Sequence, residues 1–184
     1  MQIKQKLSML VAALALSVVT APVFAQVTAG GAPMYATKDI IDNVVNSKDH
    51  STLVAAVKAA GLVETLKGPG PLTVFAPTND AFAALPAGTV DTLLKPENKM
   101  TQTGILTYHV VAGKMNAAAL SNAITDGKGK AVMKTVAGGT LIAMKSGTGI
   151  AVTDEKGGSA KVTIADVYQS NGVIYVVDKV LLPK

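Results

Sequence analysis

Two histidines, His50 and His109, are the residues in this sequence best suited to acid–base or metal chemistry. Neither has a second histidine at i+4, the spacing that places two imidazoles on one helix face for metal binding. A Ser-His-Asp triad is formally possible, but no Gly-x-Ser-x-Gly elbow is present to expose a serine nucleophile. Without cysteine, a three-ligand zinc site would depend mainly on carboxylates. We therefore predict no catalytic residue and no metal site.

The glycine-rich stretches lack the glycine spacing of cofactor-binding loops. Neither "GPGPLT" nor "GTGIAV" has dinucleotide-binding spacing, and no Gly-x-x-x-x-Gly-Lys-Ser/Thr loop occurs. The stretches "TDGKGK" and "DEKGGSA" lack the alternating acids of a calcium loop and are typical of hairpin turns. The sequence predicts a protein that is not an enzyme and that carries no cofactor.

The first 25 residues have the charged, apolar, small-residue order of a secretory signal peptide. Lys4 and Lys6 precede an apolar run of 14 residues (7–20), and Pro-Val-Phe-Ala leads up to Gln26. A membrane anchor is the alternative, but a spanning helix needs roughly 20 apolar residues. We predict that residues 1–25 are a signal peptide and are removed. The protein is then secreted or periplasmic, or held at the cell surface, without a transmembrane anchor.

The remaining chain is mildly basic. All 17 basic residues are lysine, and loss of residues 1–25 lowers the formal net charge from +5 to +3. Arginine, which binds phosphates and guanine through two parallel hydrogen bonds, is absent. Because the lysines are scattered, we predict a solvated surface and no nucleic-acid partner.

Helical and strand patterns occupy different parts of the chain. Residues 26–36, "QVTAGGAPMYA", predict a flexible lead-in because they are rich in glycine and alanine. From residue 37 the apolar spacing predicts short helices, and short β-leaning runs separated by glycine turns follow residue 130. One early strand, at residues 72–76, is expected to join the late strands. This order predicts a single α+β domain over residues 37–184.

The stretch "PLTVFAPTNDAFAAL", residues 71–85, switches abruptly from a strand pattern to a helix pattern. Pro77 has no N–H to donate, so it ends the strand. Thr78 and Asn79 can each accept a hydrogen bond from the first N–H groups of the helix. With Thr78 as the N-cap, Pro77 and Phe82 occupy the positions of a hydrophobic staple. We interpret these residues as structural rather than catalytic.

Three separated segments resemble the fasciclin-like, or FAS1, domain family. They are "TVFAPTNDAF" (73–82), which includes Thr73 and Phe75, "ILTYHVVAGKM" (105–115) and "IADVYQSNGVIYVVDKVLLP" (164–183). They occur in the family's order and at about its spacing, so the resemblance covers roughly residues 37–184. It implies a wedge-shaped β-sandwich with a cap of short helices. It also implies an extracellular or periplasmic protein used in adhesion, matrix or partner binding, usually without enzymatic activity.

Three residues depart from the family's pattern, and the first is Gly104, which sits mid-helix where a better helix former is expected. Gln102 stands where an apolar residue is expected, and Tyr175 stands where the family often has histidine. Asn171 and Gly172 predict a simple turn between two β runs.

The resemblance offers two pairs of residues for partner binding. Tyr108 and His109 match a Tyr-His motif linked in this family to cell-surface receptors. The alternative for His109 is a buried imidazole, hydrogen-bonded to backbone, that fixes a helix-to-strand junction. Asp166 and Val167 are the counterpart of an Asp-Ile motif implicated in integrin-type recognition, in an exposed segment after a β run that ends near residue 164. The alternative for Asp166 is a cap on the turn that begins at Ala165.

These observations favour an exported, non-enzymatic FAS1 binding module. Its partner is expected to be a cell-surface or matrix protein, or a second copy of the chain. The alternative hypothesis is a periplasmic carrier of a small apolar ligand held between helices and sheet, which the high alanine and valine content would allow.

The predicted signal peptide can be checked directly. Protein recovered from outside the cytoplasm should begin at Gln26, because the small-residue cleavage site ends at Ala25. N-terminal sequencing of the exported protein measures this, and an intact Met1 in that material would contradict the prediction.

Overall fold

The structure, a computed structural model, describes residues 27–93 and 95–184. The predicted signal peptide, residues 1–25, therefore lies outside the described residues. The α-helices of the described part are α1 Ile40–Val44, α2 Ser51–Ala60, α3 Val63–Lys67, α4 Asn79–Ala83, α5 Thr89–Leu93, α6 Lys99–Tyr108 and α7 Ala117–Asp126. The strands are β1 Val27–Ala29, β2 Ala32–Met34, β3 Leu72–Pro77, β4 Val110–Ala112, β5 Lys130–Lys134, β6 Thr140–Ser146, β7 Gly149–Thr153, β8 Ser159–Gln169 and β9 Gly172–Val177. Within these residues, no helix has both the length and the apolar character needed to cross a bilayer.

Seven of the strands form one sheet in the order β4-β3-β9-β8-β7-β6-β5. Neighbouring strands are antiparallel except β3 and β9, which run parallel. A β-bridge between Val111 and Thr135, with a hydrogen bond of 2.8 Å from Val136 N to Val110 O, brings the two ends of the sheet together. The sheet therefore folds over on itself. This arrangement confirms the α+β class and the β-sandwich with a cap of short helices.

The central strands β3 and β9 separate two hydrophobic cores. Helices α1 to α4 and α6 cover the first core, whereas α7 and strands β5 to β7 enclose the second. Successive side chains of a strand point to opposite faces, so both central strands are buried on both sides. Burial on both sides explains why they read as continuous apolar runs rather than as alternating ones. The early strand predicted at residues 72–76 does join the late strands, through its parallel pairing with β9.

The flexible lead-in predicted for residues 26–36 is wrong where the structure describes it. Strands β1 and β2 pair as an antiparallel hairpin, and Met34 is buried in the first core. Gly30 makes the turn with φ +59°, a conformation that glycine adopts without steric cost. Its carbonyl lies 3.0 Å from Ser47 Oγ, and a Cβ at this position would be only 2.0 Å from the same atom. The small residues therefore permit close packing instead of flexibility.

The switch from β3 to α4 follows the prediction at Thr78. Thr78 has an extended backbone, and its Oγ1 accepts from Ala81 N at 3.3 Å, as an N-cap residue does. Pro77 is the last residue of β3, and both Pro77 and Phe82 are buried at the two staple positions. The local chain thus converts a strand into a helix within two residues.

Asn79 serves a different helix from the one predicted. Its Oδ1 accepts from Thr52 N at 3.0 Å, and its Nδ2 donates to Lys48 O at 2.8 Å. Thr52 lies in the first turn of α2, where backbone N–H groups have no partner within the helix. Asn79 therefore caps α2 from a distant part of the chain and fixes α4 against it.

Substitutions in this segment should separate the two capping roles. We expect Asn79→Ala to lower the free energy of unfolding by about 1–2 kcal/mol, because α2 loses its cap. Thr78→Ala should cost about 0.5–2 kcal/mol, and Phe82→Ala about 3–5 kcal/mol, because it leaves a cavity. Urea melts measure all three, with exposed Asp80→Asn as the neighbouring control. An Asn79→Ala midpoint equal to that of Asp80→Asn would contradict the assignment.

Candidate functional site

Residues 113–116, which link β4 to α7, are held against the central strands by two side chains. Thr73 Oγ1 donates to Gly113 O at 2.6 Å and accepts from Met115 N at 3.0 Å. The Tyr175 hydroxyl donates to Met115 O at 2.8 Å. Thr73 belongs to β3 and Tyr175 to β9, so the two parallel strands fix the conformation of this loop.

Asp166 holds the end of the same loop from a third strand. It lies in β8 beside a bulge, with φ +56°, a left-handed conformation that Asp and Asn tolerate better than most residues. Its Oδ1 accepts from Ala117 N, the first residue of α7, at 2.6 Å. A negative charge is favourable at a helix N-terminus. The carboxylate therefore caps α7 rather than the local turn expected at Ala165.

Tyr175 lies beside this carboxylate inside the second core. Its ring stacks on Phe75 with a centroid distance of 5.5 Å. Burial, followed by the nearby charge of Asp166, raises the pKa of Tyr175 well above its ordinary value. The phenol therefore stays protonated and remains a donor to the Met115 carbonyl. Tyr175 thus has a structural role at the position where the sequence departs from the family's pattern.

The surface beside Asp166 is formed by Tyr168, which follows Asp166 in the segment that the sequence predicts to be exposed, and by Lys114, which no sequence pattern indicates. Val167 is fully buried, and β8 continues to Gln169 instead of ending near residue 164. Tyr168 points outward with 39% of its surface exposed, and Lys114 Nζ lies 5.1 Å from its ring centroid. We call these two residues, with the half-buried Asp166, the Tyr168–Lys114 surface. Strand alternation was the available signal, because an inward Val167 places Tyr168 outward.

Tyr108 is buried, so it is not available for direct partner contact in this structure. Its hydroxyl donates to Thr140 O at 2.7 Å and accepts from Glu155 N at 3.1 Å. Glu155 in turn accepts from Thr140 N at 2.9 Å. The ring therefore joins the end of α6 to the start of β6 and to the turn after β7.

His109 is also buried, in the backbone-bonded arrangement that was the alternative to partner binding. Its Nε2 accepts from Leu181 N at 2.9 Å, and its Nδ1 lies 2.8 Å from Ile105 O. Because Nε2 accepts, Nδ1 carries the proton and donates to Ile105. Burial lowers the pKa of His109 to about 4, so the imidazole is neutral at pH 7.

His50 has a serine neighbour but not the geometry of a catalytic site. Its Nδ1 lies 2.7 Å from Ser47 Oγ, and both side chains are buried. Among residues 27–93 and 95–184, no carboxylate hydrogen-bonds to this pair and no cluster of three His, Asp or Glu could hold a metal ion. Burial lowers the pKa of His50 as well. The pair joins the β1–β2 hairpin to the body of the domain.

Asn171 and Gly172 complete the predicted turn between β8 and β9 and do more than turn the chain. The Asn171 side chain accepts from Ile40 N at 3.1 Å and donates to Leu66 O at 2.8 Å. A Cβ at Gly172 would lie 2.2 Å from Leu72 O, so glycine is required by the close approach of β3. The turn therefore joins two helices to the start of the parallel strand pair.

Comparison with known proteins agrees with this fold and with the three sequence segments. The family model described as Fasciclin domain matches residues 48–183. Protein sll1483 of Synechocystis sp. is 50% identical over 145 residues, which cover 78% of this chain and 73% of the relative. Immunogenic protein MPB70 of Mycobacterium bovis is 37% identical over 143 residues, covering 75% of this chain and 65% of the relative.

A solved structure gives the same result at the level of the fold. The FAS1 domain pair of fasciclin I, an insect cell adhesion molecule, superposes with a TM-score of 0.71 at 15% sequence identity. The match covers 79% of this chain but only 51% of the fasciclin I chain, so this chain spans about half of that domain pair. The fold is that of a FAS1 domain. The chain belongs to the Fasciclin domain family.

The buried His109 predicts a defined loss of stability in acid. The unfolded state, with an ordinary histidine pKa of about 6.5, binds a proton before the folded state does. The contribution of neutral His109 to the free energy of unfolding is therefore fully present above pH 6.5 and is lost as the pH drops to about 4. This residue should contribute a loss of roughly 3 kcal/mol across that range.

Urea melts at pH 7.5, 5.5 and 4 measure the effect. His109→Gln, which retains an amide for the two backbone partners, should lose this part of the pH dependence. The other titrating groups, including His50, remain in both proteins and cancel in the comparison. Equal pH dependence of the wild type and His109→Gln would contradict the assignment.

Proposed function

We propose that this protein is an exported, non-enzymatic binding module that attaches to a cell-surface or matrix protein through the Tyr168–Lys114 surface. The observation that carries the proposal is the exposed Tyr168 ring beneath the Lys114 ammonium, next to the half-buried Asp166. Tyrosine is enriched in protein interfaces because its large ring combines an apolar face with a polar tip. The Lys114 ammonium and the nearby Asp166 carboxylate would make binding selective for a partner of complementary charge.

The rigidity of this surface supports a binding role. Lys114 lies in the loop that Thr73 and Tyr175 hold by hydrogen bonds, and Tyr168 lies within β8. A surface whose backbone is ordered before binding loses less conformational entropy on association. Asp166 adds to this order through its bond to Ala117 N. In this proposal Asp166 acts both on the loop and, through its exposed part, on the partner.

The family and the N-terminal segment support the other parts of the proposal. Fasciclin I, whose domain pair shares this fold, is described as a cell adhesion molecule. The signal-like residues 1–25 favour export. Both histidines are buried and hydrogen-bonded to structural partners, which favours binding over catalysis.

The apolar cavities between the helices and the sheet favour a binding module over a carrier of apolar ligands. The apolar cavity between α1 to α3 and the sheet, where such a ligand was expected, has a volume of about 30 Å³. A second apolar cavity beside Leu72 and Val136 has about 80 Å³. Pockets that hold small molecules measure about 300–1,000 Å³. These cavities would have to enlarge several-fold before one of them could hold a lipid or a similar ligand.

Substitutions on the proposed surface should weaken attachment without unfolding the protein. We expect Tyr168→Ala and Lys114→Glu each to weaken binding of cells or of surface fractions to immobilised protein at least tenfold. Asp166→Asn should weaken it less, because Asn removes the charge but keeps an oxygen for Ala117 N and tolerates positive φ. Surface plasmon resonance measures binding, and thermal melts check the fold.

Two substitutions of exposed residues elsewhere are matched controls. Met100→Ala removes an exposed apolar side chain, and Lys156→Glu reverses an exposed lysine. Both should bind like the wild type. Unchanged attachment by Tyr168→Ala and Lys114→Glu, alongside clear attachment by the wild type, would reject this surface.

A further inference from the structure

Strands β7 and β8 separate part-way along their length. They pair from Thr153↔Ser159 to Ala151↔Lys161, and the pairing then stops. Beyond Lys161, β8 passes through two register shifts as it pairs with β9 on its other side. No strand of the described chain pairs with the β7-facing side of β8 beyond Lys161. The first two residues of β7, Gly149 and Ile150, are likewise unpaired on the side towards β8.

An open groove of about 540 Å³ lies in this gap. Its walls are the two separated strand segments and the β6–β7 turn, and Ala117 and Ser121 of α7 lie along it. Lys145, Gly147, Ile150, Val162 and Thr163 are among the residues that line it. The volume lies within the range of pockets that bind ligands.

The shape and edges of the groove match an extended peptide. A strand edge without a neighbour presents backbone N–H and C=O groups that another chain can pair with. The β8 segment from Val162 to Ala165 is about 10 Å long at 3.3 Å per residue, enough for a short stretch of added strand. Pairing of a peptide with a sheet edge supplies affinity through main-chain hydrogen bonds, and side-chain pockets supply specificity.

The positive charge of the groove favours a peptide that carries an acidic side chain. Lys145 is the one charged residue among those that line the groove, and it has no ion-pair partner within residues 27–93 and 95–184. The Ala117 N–H is already bonded to Asp166, so this donor is not available to a ligand in the groove. The lining contains no aromatic ring on which a sugar could stack, and its apolar side chains are interrupted by Ser121, Lys145 and Thr163, whereas a lipid tail needs a continuous apolar wall.

We propose that this groove binds an extended peptide segment that carries an acidic side chain. The segment pairs with the free edge of β8, and its carboxylate reaches Lys145. This site goes beyond the proposed function, since it shares no residue with the Tyr168–Lys114 surface.

A random nine-residue peptide library selected on the immobilised protein provides the probe. We expect the enriched peptides to combine an aspartate or glutamate with β-branched residues at alternate positions. Fluorescence anisotropy then gives the Kd of the best peptide. Lys145→Glu should raise this Kd at least tenfold, and Ser121→Tyr should do the same by filling the groove from a helix surface. Lys156→Glu, outside the groove, should leave it within twofold.

A change in the peptide tests the strand pairing without altering the protein. Methylation of alternate backbone nitrogens removes donors but keeps the charge, so it should abolish binding. NMR amide shifts on titration should concentrate at Gly147, Gly149 and Thr163. Failure to enrich any acidic peptide would overturn the proposal, as would equal binding by Lys145→Glu or by the methylated peptide. None of these three results would bear on attachment through Tyr168.

Discussion

The parallel pairing of β3 with β9 is the constraint on which the rest of the structure depends. It joins residues 72–77 to residues 172–177, so the early strand finds its partner only when nearly the whole domain is in place. Both strands are buried between two hydrophobic cores, and Phe75 stacks on Tyr175 across the pair. Long-range pairing of this kind is costly in chain entropy and must be offset by extensive burial. The double core supplies that burial.

The buried polar side chains extend this constraint to the loops. Thr73 and Tyr175 project from the paired strands and hold the backbone around Met115, while Asp166 adds a third attachment at Ala117. Each of these groups is satisfied by a backbone partner, which is what burial of a polar group requires. The residues that looked most reactive in the sequence are therefore structural. The exposed groups that they position, Lys114 and Tyr168, are the ones free to meet a partner.

A helix cap can be predicted from the sequence when its hydrogen-bond partner lies a few residues away, but not when the partner lies in a distant part of the chain. Thr78 was predicted correctly as an N-cap because its partner lies three residues away. Asn79 has the same chemistry but caps α2, a choice made by tertiary packing. The β1–β2 hairpin was missed because its small residues carry no periodic signal. The bulges of β8 also leave no periodic signal in the sequence, because they depend on how β8 pairs with β9. The sequence therefore does not predict that Asp166 caps the distant helix α7.

The central claim is that the loop around Lys114 is held rigidly by the central strands. Native-state amide hydrogen exchange at Met115 and Ala117 tests it most directly, because those N–H groups donate to Thr73 and Asp166. We expect protection approaching that of the β3 and β9 amides, with the Ala117 protection lost in Asp166→Ala. Exchange of both amides at the rate of an unstructured chain, in the wild-type protein, would contradict it.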